Sequence, residues 1–335
     1  MSARVPICLT IAGSDSGGGA GIQADLKAFA ACGVHGTCAI TALTAQSTVG
    51  VVAVETVSPT MIRAQVRAVA DDMTLDAVKL GMLAGIETIA AVVAALDGLP
   101  AGTPVVVDPV MVAESGARLL DTDAHRALVR DVLPRATVVT PNVPEARALC
   151  GDAEERLDGE ELARAVLALG PRAVVVTGGH RDEATDVYVD ADGVVAHITG
   201  PRHPDGAAHG SGCTHASALA AHLAHGWTPV EAARAARAVA AEAVLHGLRS
   251  VGRGPGPVDV LDVASRTPAR TPAEPQAQQW AGQPELTPPF TLLKRPCLGG
   301  LAFWHMRLRP AGNGEWRAKW PKTSPDLTPC PRMPA

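Results

Sequence analysis

The chain has 335 residues, 47% of them hydrophobic and 19% charged, an apolar share ordinary for a globular protein and too high for a wholly disordered one. Its net charge of −5 gives no general attraction to nucleic acid or anionic lipid. The seven cysteines form no CxxC pair, so neither a zinc site nor a disulfide scaffold is indicated.

The length predicts about two domains, although one α/β domain reaches roughly 250 residues, and the composition shifts near Arg266. Residues 266–335 carry ten Lys/Arg against four Asp/Glu, 13 of the 27 Pro and four of the five Trp. The reading is therefore a folded domain over 1–265 and a Pro-rich basic tail over 266–335, expected to be disordered. With only one Tyr and three Phe, the core must come mainly from Ala, Val, Leu and Ile. No apolar run approaches the roughly 18 residues that span a bilayer. A reducing cytoplasm is the expected compartment.

Residues 5–12 are apolar and enter GSDSGGG, which predicts a buried strand and loop rather than a signal peptide. Residues 20–32 place Ile22, Leu26 and Phe29 on one helical face. Ser58-Pro59 has a cap residue followed by proline, so a helix is predicted from there to about Asp72. Strands are expected over 76–80, 104–108, 137–140 and 173–177, and helices over 86–96, 123–133 and 159–169. The runs VVVD (105–108) and VVVT (174–177) are almost continuously apolar, as strands covered on both faces are. Residues 186–189 and 194–198, separated by DADG, predict an antiparallel hairpin. Helices over 212–225 and from Thr228 to about His246 close the domain, the second opened by a capping box. The expected fold is a three-layer α/β/α domain with a mainly parallel sheet and a small antiparallel appendage. Ligands of such sheets sit off the carboxyl ends of the strands.

Four strand-end segments carry chemistry. Residues 13–21, Gly-Ser-Asp-Ser-Gly-Gly-Gly-Ala-Gly, suit close backbone approach to a polar ligand or a flexible turn. They match neither the P-loop nor the dinucleotide fingerprint. Asp108 leaves a buried strand where it could hold a hydrated Mg²⁺ or cap the next turn. Asn142 and Glu145 have the spacing of a capping box and equally of a phosphate and metal ligand pair. His209-Gly210-Ser211-Gly212-Cys213 runs into a predicted helix start, either a small-residue packing contact or an anion hole that also favours the Cys213 thiolate. Gln46 and Asp25 could read a polar heterocycle or stand as ordinary surface residues.

Taken in order, AGSDSGGGAGIQADLKAF, ITALTAQST, VKLGML, DPVMV, TPNVPEA, TGGH and HGSGCT closely resemble the hydroxymethylpyrimidine/phosphomethylpyrimidine kinases of thiamine biosynthesis, in the ribokinase-like superfamily. The resemblance covers about residues 5–262. It implies ATP- and Mg²⁺-dependent phosphorylation of 4-amino-5-hydroxymethyl-2-methylpyrimidine and then of its monophosphate, by a cytoplasmic homodimer. By motif position it implies that Gln46 binds the aminopyrimidine, with Asp25, Ala20, Thr44 and Met82 lining the pocket. Asp108 and Glu145 would lie around the metal. Asn142, Thr177, Gly179 and His209 would face the nucleotide. Gly210, Ser211 and Gly212 would cradle the transferring phosphate, with Cys213 helping to deprotonate the hydroxyl.

The chain departs from the family pattern where Thr177 and Glu114 stand at positions that often carry Lys. Ala208 and Ser211 stand where Thr is usual. A pyridoxal or related vitamin kinase on the same fold is the alternative enzyme, and a pyrimidine-binding protein that has lost catalysis is the alternative from another class. The tail has no counterpart in the resemblance. A nucleic-acid-binding arm has only the tail's charge and tryptophans behind it, and nucleic acid is not an expected partner.

Overall fold

A computed structural model of the chain describes residues 4–111, 122–153, 155–178, 185–204, 206–266, 307–310 and 316–319. The coordinates fall into two units, Met1–Thr267 and Pro268–Ala335.

The first unit runs β1 (Ile7–Asp15), α1 (Gly21–Ala31), β2 (His35–Ser47), β3 (Gly50–Thr56), α2 (Pro59–Ala70), β4 (Ala77–Leu80), α3 (Ile86–Leu96), β5 (Val105–Val107), α4 (Thr122–Ala127), β6 (Val138–Val139), α5 (Val143–Cys150), α6 (Gly159–Leu167), β7 (Ala173–Val176), β8 (Thr185–Asp190), β9 (Val195–Thr199), α7 (Ser211–Ala224) and α8 (Pro229–Leu245). In the second unit, β10 (Arg307–Pro310) and β11 (Trp316–Lys319) pair antiparallel. The expectation of disorder for the rest of the tail lies outside the described residues.

The nine strands of the first unit form one sheet in the order β3-β2-β1-β4-β5-β6-β7-β8-β9. The strands β2, β1, β4, β5, β6 and β7 run parallel to one another, whereas β3 pairs antiparallel with β2, and β8 with β7 and β9, at the two edges. Side chains alternate across the sheet, so each strand feeds two cores. Leu9, Ile11, Val78, Leu80, Val105 and Val107 pack with Ile62, Val92 and Leu162 of α2, α3 and α6. Cys8, Ala77, Val106 and Val138 pack on the other side with Phe29, Leu219 and Ala233 of α1, α7 and α8. This is the expected three-layer arrangement.

The caps form as their spacing predicts. Ser58 Oγ accepts from the Met61 N–H at 3.3 Å, and Asn142 with Glu145, and Thr228 with Glu231, form reciprocal capping boxes. The expected helix over 123–133 is shorter than predicted: after α4 the chain passes through a π turn (Leu128–Val132) and a 3-10 turn (Leu133–Arg135). The expected first strand extends beyond Ala12 to Asp15, with a register irregularity between Ala12 and Ser14. Among the described residues no helix is long and apolar enough to cross a membrane.

Candidate active site

The carboxyl ends of the parallel strands share one rim of the sheet, and the chemically suggestive residues lie along it. β1 ends in Asp15, whose carboxylate closes the glycine-rich turn on itself. It accepts the N–H groups of Gly17 at 2.7 Å, Gly19 at 3.0 Å and Ala20 at 2.8 Å. His209 Nε2 lies 3.3 Å from the same side chain. Burial works to raise the Asp15 pKa, but His209 and the Ala20 and Gly17 N–H groups outweigh it and hold it below the usual carboxylate range.

This turn packs directly on the loop before α7. Gly210 has φ +84°, and a Cβ there would meet the Gly19 carbonyl oxygen at 1.8 Å; a Cβ on Gly19 would meet the His209 ring at 2.3 Å. Gly210 needs to be glycine because its left-handed backbone lies against the Gly19 carbonyl, whereas a side chain on Gly19 would displace the His209 ring. Ser211 N–H donates to Ala208 O and Thr214 N–H to Gly210 O. The Gly212 and Cys213 N–H groups are left among the donors that a first helical turn cannot satisfy internally, at the end where the dipole favours an anion.

Gln46, at the end of β2, is tied to the turn by Ser16, whose Oγ accepts the Gln46 N–H at 2.8 Å and donates to Gln46 O at 2.6 Å. Thr44 Oγ1 donates to Ser14 O at 2.9 Å and lies 3.3 Å from the Gln46 side-chain Oε1. A cavity of about 270 Å³ opens here between residues 46–50, His209 and the Gly254-Pro255 segment. Gln46 and His209 are the two predicted site residues on its wall. Met82 lies against the end of β1, where a Cβ on Gly13 would stand 3.2 Å from its sulfur.

Asp25 occupies a different place from the one its motif implied. It is fully enclosed, and its oxygens are taken by Thr10 Oγ1 at 2.6 Å, Ser217 Oγ at 2.7 Å and Lys79 Nζ at 2.9 Å. Its side chain has no exposed surface. Lys79, also fully enclosed, lies in turn 3.5 Å from Asp108 Oδ2. Sequence reasoning missed Lys79 and Asp15. The available signal for Lys79 was an ammonium inside the otherwise apolar Ala-Val-Lys-Leu strand, which burial forbids unless carboxylates meet it.

Asp108 follows β5 and is buried, with Oδ2 making no hydrogen bond. Burial raises its pKa against the opposing pull of Lys79. Glu145 is pushed up to about 8 by burial and then by the charge of Asp108. Glu145 Oε2 also accepts the Asn142 N–H at 2.9 Å, and the Asn142 side chain accepts the Glu145 N–H at 2.8 Å. The structural cap and the carboxylate pair therefore coexist. Thr177 bridges Asn142 in parallel register at the end of β7. Gly179 and Glu114 lie outside the described residues.

The helix terminus does not deliver the expected thiolate. Burial pushes the Cys213 thiol up to about 12, with Lys79 lowering it and Asp108 and Asp25 raising it. At neutral pH the group is a thiol.

Among the described residues no cluster of three or more His, Cys, Asp or Glu is arranged to hold an ion alone. Two adjacent carboxylates, one with an oxygen lacking a hydrogen bond, instead suit a hard cation that takes its remaining ligands from water and phosphate, as Mg²⁺ does.

Residues 15–259 match the family model described as phosphomethylpyrimidine kinase. A hydroxymethylpyrimidine/phosphomethylpyrimidine kinase of Rhizobium meliloti (strain 1021) is 49% identical over 261 residues, 75% of this chain and 96% of that protein. The solved phosphomethylpyrimidine kinase of Clostridium difficile 630 is 39% identical at a TM-score of 0.61, over 71% of this chain and 99% of that one. The pyridoxal kinase of Staphylococcus aureus in complex with AMP-PCP and pyridoxal is 33% identical at a TM-score of 0.68, over 77% of this chain and 94% of that one.

Proposed function

The chain belongs to the phosphomethylpyrimidine kinase family, and from that premise we propose that its rim site transfers the γ-phosphoryl group of ATP to 4-amino-5-hydroxymethyl-2-methylpyrimidine and then to the resulting monophosphate. The observation that carries this reading is the junction of the two glycine loops. It brings the Gln46 cavity, through His209, to the unsatisfied N–H groups of α7.

Phosphoryl transfer asks a protein for alignment and charge neutralisation more than for covalent chemistry. Gln46 presents both a donor and an acceptor, as an aminopyrimidine edge requires, and holds the hydroxymethyl arm towards α7. Thr44 supports that wall through its contact with Gln46, and Ala20 and Met82 complete the pyrimidine side of the site in this reading. Gly210, Ser211 and Gly212 accommodate the transferring group, and the N–H groups of Gly212 and Cys213 donate to its oxygens. The hydroxyl oxygen bonds to the γ-phosphorus while the bond to the β,γ-bridging oxygen breaks, and ADP leaves with that oxygen. Cys213 stands at the reacting hydroxyl as a neutral thiol, so the hydroxyl proton departs late in the transfer, to an oxygen of the transferred phosphoryl group.

Asp108 and Glu145 would hold Mg²⁺, and Asn142 and Thr177 would line the nucleotide side beside them. The cation supplies charge neutralisation on the phosphate oxygens. His209, assigned to the nucleotide by motif position, contributes from the opposite side, where it joins Asp15 to the cavity. The cytoplasm, where ATP is abundant, is the compartment this reading implies, and a homodimer is its expected assembly.

The second reading, a pyridoxal kinase, draws on the 33% identity to the Staphylococcus aureus enzyme. A coupled ADP-release assay decides between them. The proposal expects kcat/KM for the pyrimidine alcohol to exceed that for pyridoxal by about tenfold or more, since a site built to pair with a polar ring edge rejects a ring lacking it. The reverse preference would make pyridoxal the substrate.

A further inference from the structure

Lys79 lies between two carboxylates of the rim, Asp25 and Asp108. All four residues of β4 are buried. Val78 and Leu80 face one core and Ala77 the other, so alternation directs Lys79 to the side occupied by α1 and α7. Its ammonium meets Asp25 at 2.9 Å and Asp108 at 3.5 Å. A Cβ on Gly81 would stand 3.0 Å from Nζ, so the glycine after β4 leaves the slot the ammonium fills.

The two contacts differ in kind. Asp25 is a fixed strut, because Thr10 and Ser217 donate to the same carboxylate. At Asp108 the ammonium stands at ion-pair distance from Oδ2, and the Cys213 thiol also interacts with that carboxylate. Were Lys79 only a core residue, Asp25 would satisfy it, and an apolar pair would serve packing as well or better. The second arm reaches the carboxylate at the strand end through its buried Oδ2.

We propose that Lys79 is a positioning residue: anchored on Asp25, its ammonium holds the Asp108 carboxylate in the orientation that receives the nucleotide's divalent cation. This rests on the reading that Asp108 binds that cation. Outer partners that orient a metal-binding carboxylate typically change metal affinity or activity by about 10–100-fold when removed.

The test uses the full chain and calorimetric binding of a non-hydrolysable ATP analogue with and without Mg²⁺, beside steady-state kinetics. In Lys79→Met the gain in analogue affinity due to Mg²⁺ should fall by about tenfold or more, and kcat by a similar factor. Mg²⁺-free binding and the pyrimidine KM should stay within about threefold of the parent. Lys79→Arg should restore part of the Mg²⁺ gain. Should Lys79→Met fail to fold, Asp25→Asn/Lys79→Met, which removes both core charges together, carries the same expectation.

A folded double variant with the parent's Mg²⁺ gain and kcat would overturn the proposal. Asp108→Asn, measured alongside, separates the two failures. If it loses the Mg²⁺ gain while the Lys79 variants keep it, only the positioning role falls. If it too keeps the gain, the assignment of Asp108 to the cation falls, and the role of Lys79 with it.

Discussion

Asp15 Oδ2 and His209 Nε2 meet at 3.3 Å across 194 positions of sequence, and this contact joins the turn after the first strand to the loop that opens α7. The carboxylate is buried and its pKa is depressed. A group with a folded pKa below its unfolded value stabilises the fold above the unfolded pKa and loses that contribution as pH falls through the folded one. Asp15→Asn should therefore cost about 1–3 kcal/mol near neutral pH, lowering Tm by several degrees. Thermal melts from pH 7 down should show the difference from the parent shrinking below the ordinary carboxylate range. A constant difference down to the most acid pH would remove the charge from the explanation.

Two glycines of the same loop should respond oppositely to alanine. Gly210 is left-handed, and its Cβ would collide with Gly19 O, so Gly210→Ala should lose stability through strain. A Cβ on Gly212 would meet nothing within 4 Å, and alanine there should match or raise Tm, since it favours a helix by up to about 1 kcal/mol. Its methyl group would nonetheless crowd the N–H groups proposed to hold the transferring phosphate, and kcat should fall about 10²-fold. Full activity in a stable Gly212→Ala would move the phosphate away from this helix terminus.

Gln46→Leu keeps the size of the side chain and removes both polar atoms. The pyrimidine KM should rise by about tenfold or more, as expected when a polar ring edge loses its partner, with the ATP KM little changed. Equal effects on both substrates would place Gln46 outside the pyrimidine pocket.

Cys213→Ser separates thiol from backbone. With the thiol raised to about 12 by burial, there is almost no thiolate at neutral pH, and the N–H at this position survives the substitution. The kcat should stay within about tenfold of the parent, because a positioned general base contributes typically 10²–10⁴-fold. The pH profile should show no thiol ionisation between pH 6 and 9. A loss in the general-base range would make the thiol a base after all.

The sequence revealed most where a physical rule acts locally. The continuous valines of β5 and β7 marked strands buried on both faces, and Ser58-Pro59 and Thr228-Glu231 marked helix starts through their own hydrogen bonds. β2 and β3 escaped because they lie at an edge of the sheet, where burial is partial and no clean alternation survives. Asp25 resembled a pocket residue by motif position, but its partners Lys79 and Ser217 lie 54 and 192 positions away, and only the fold brings them together. The Cys213 environment was misjudged for the same reason: its helix terminus is visible in the sequence, whereas the burial that outweighs it is not.

The most direct test follows phosphorus by NMR in a mixture of the full chain, ATP, Mg²⁺ and 4-amino-5-hydroxymethyl-2-methylpyrimidine. The account predicts a monophosphate ester of the pyrimidine, then its pyrophosphate, with one ADP for each phosphoryl group gained. ADP accompanied by inorganic phosphate, with the pyrimidine unchanged, would contradict it.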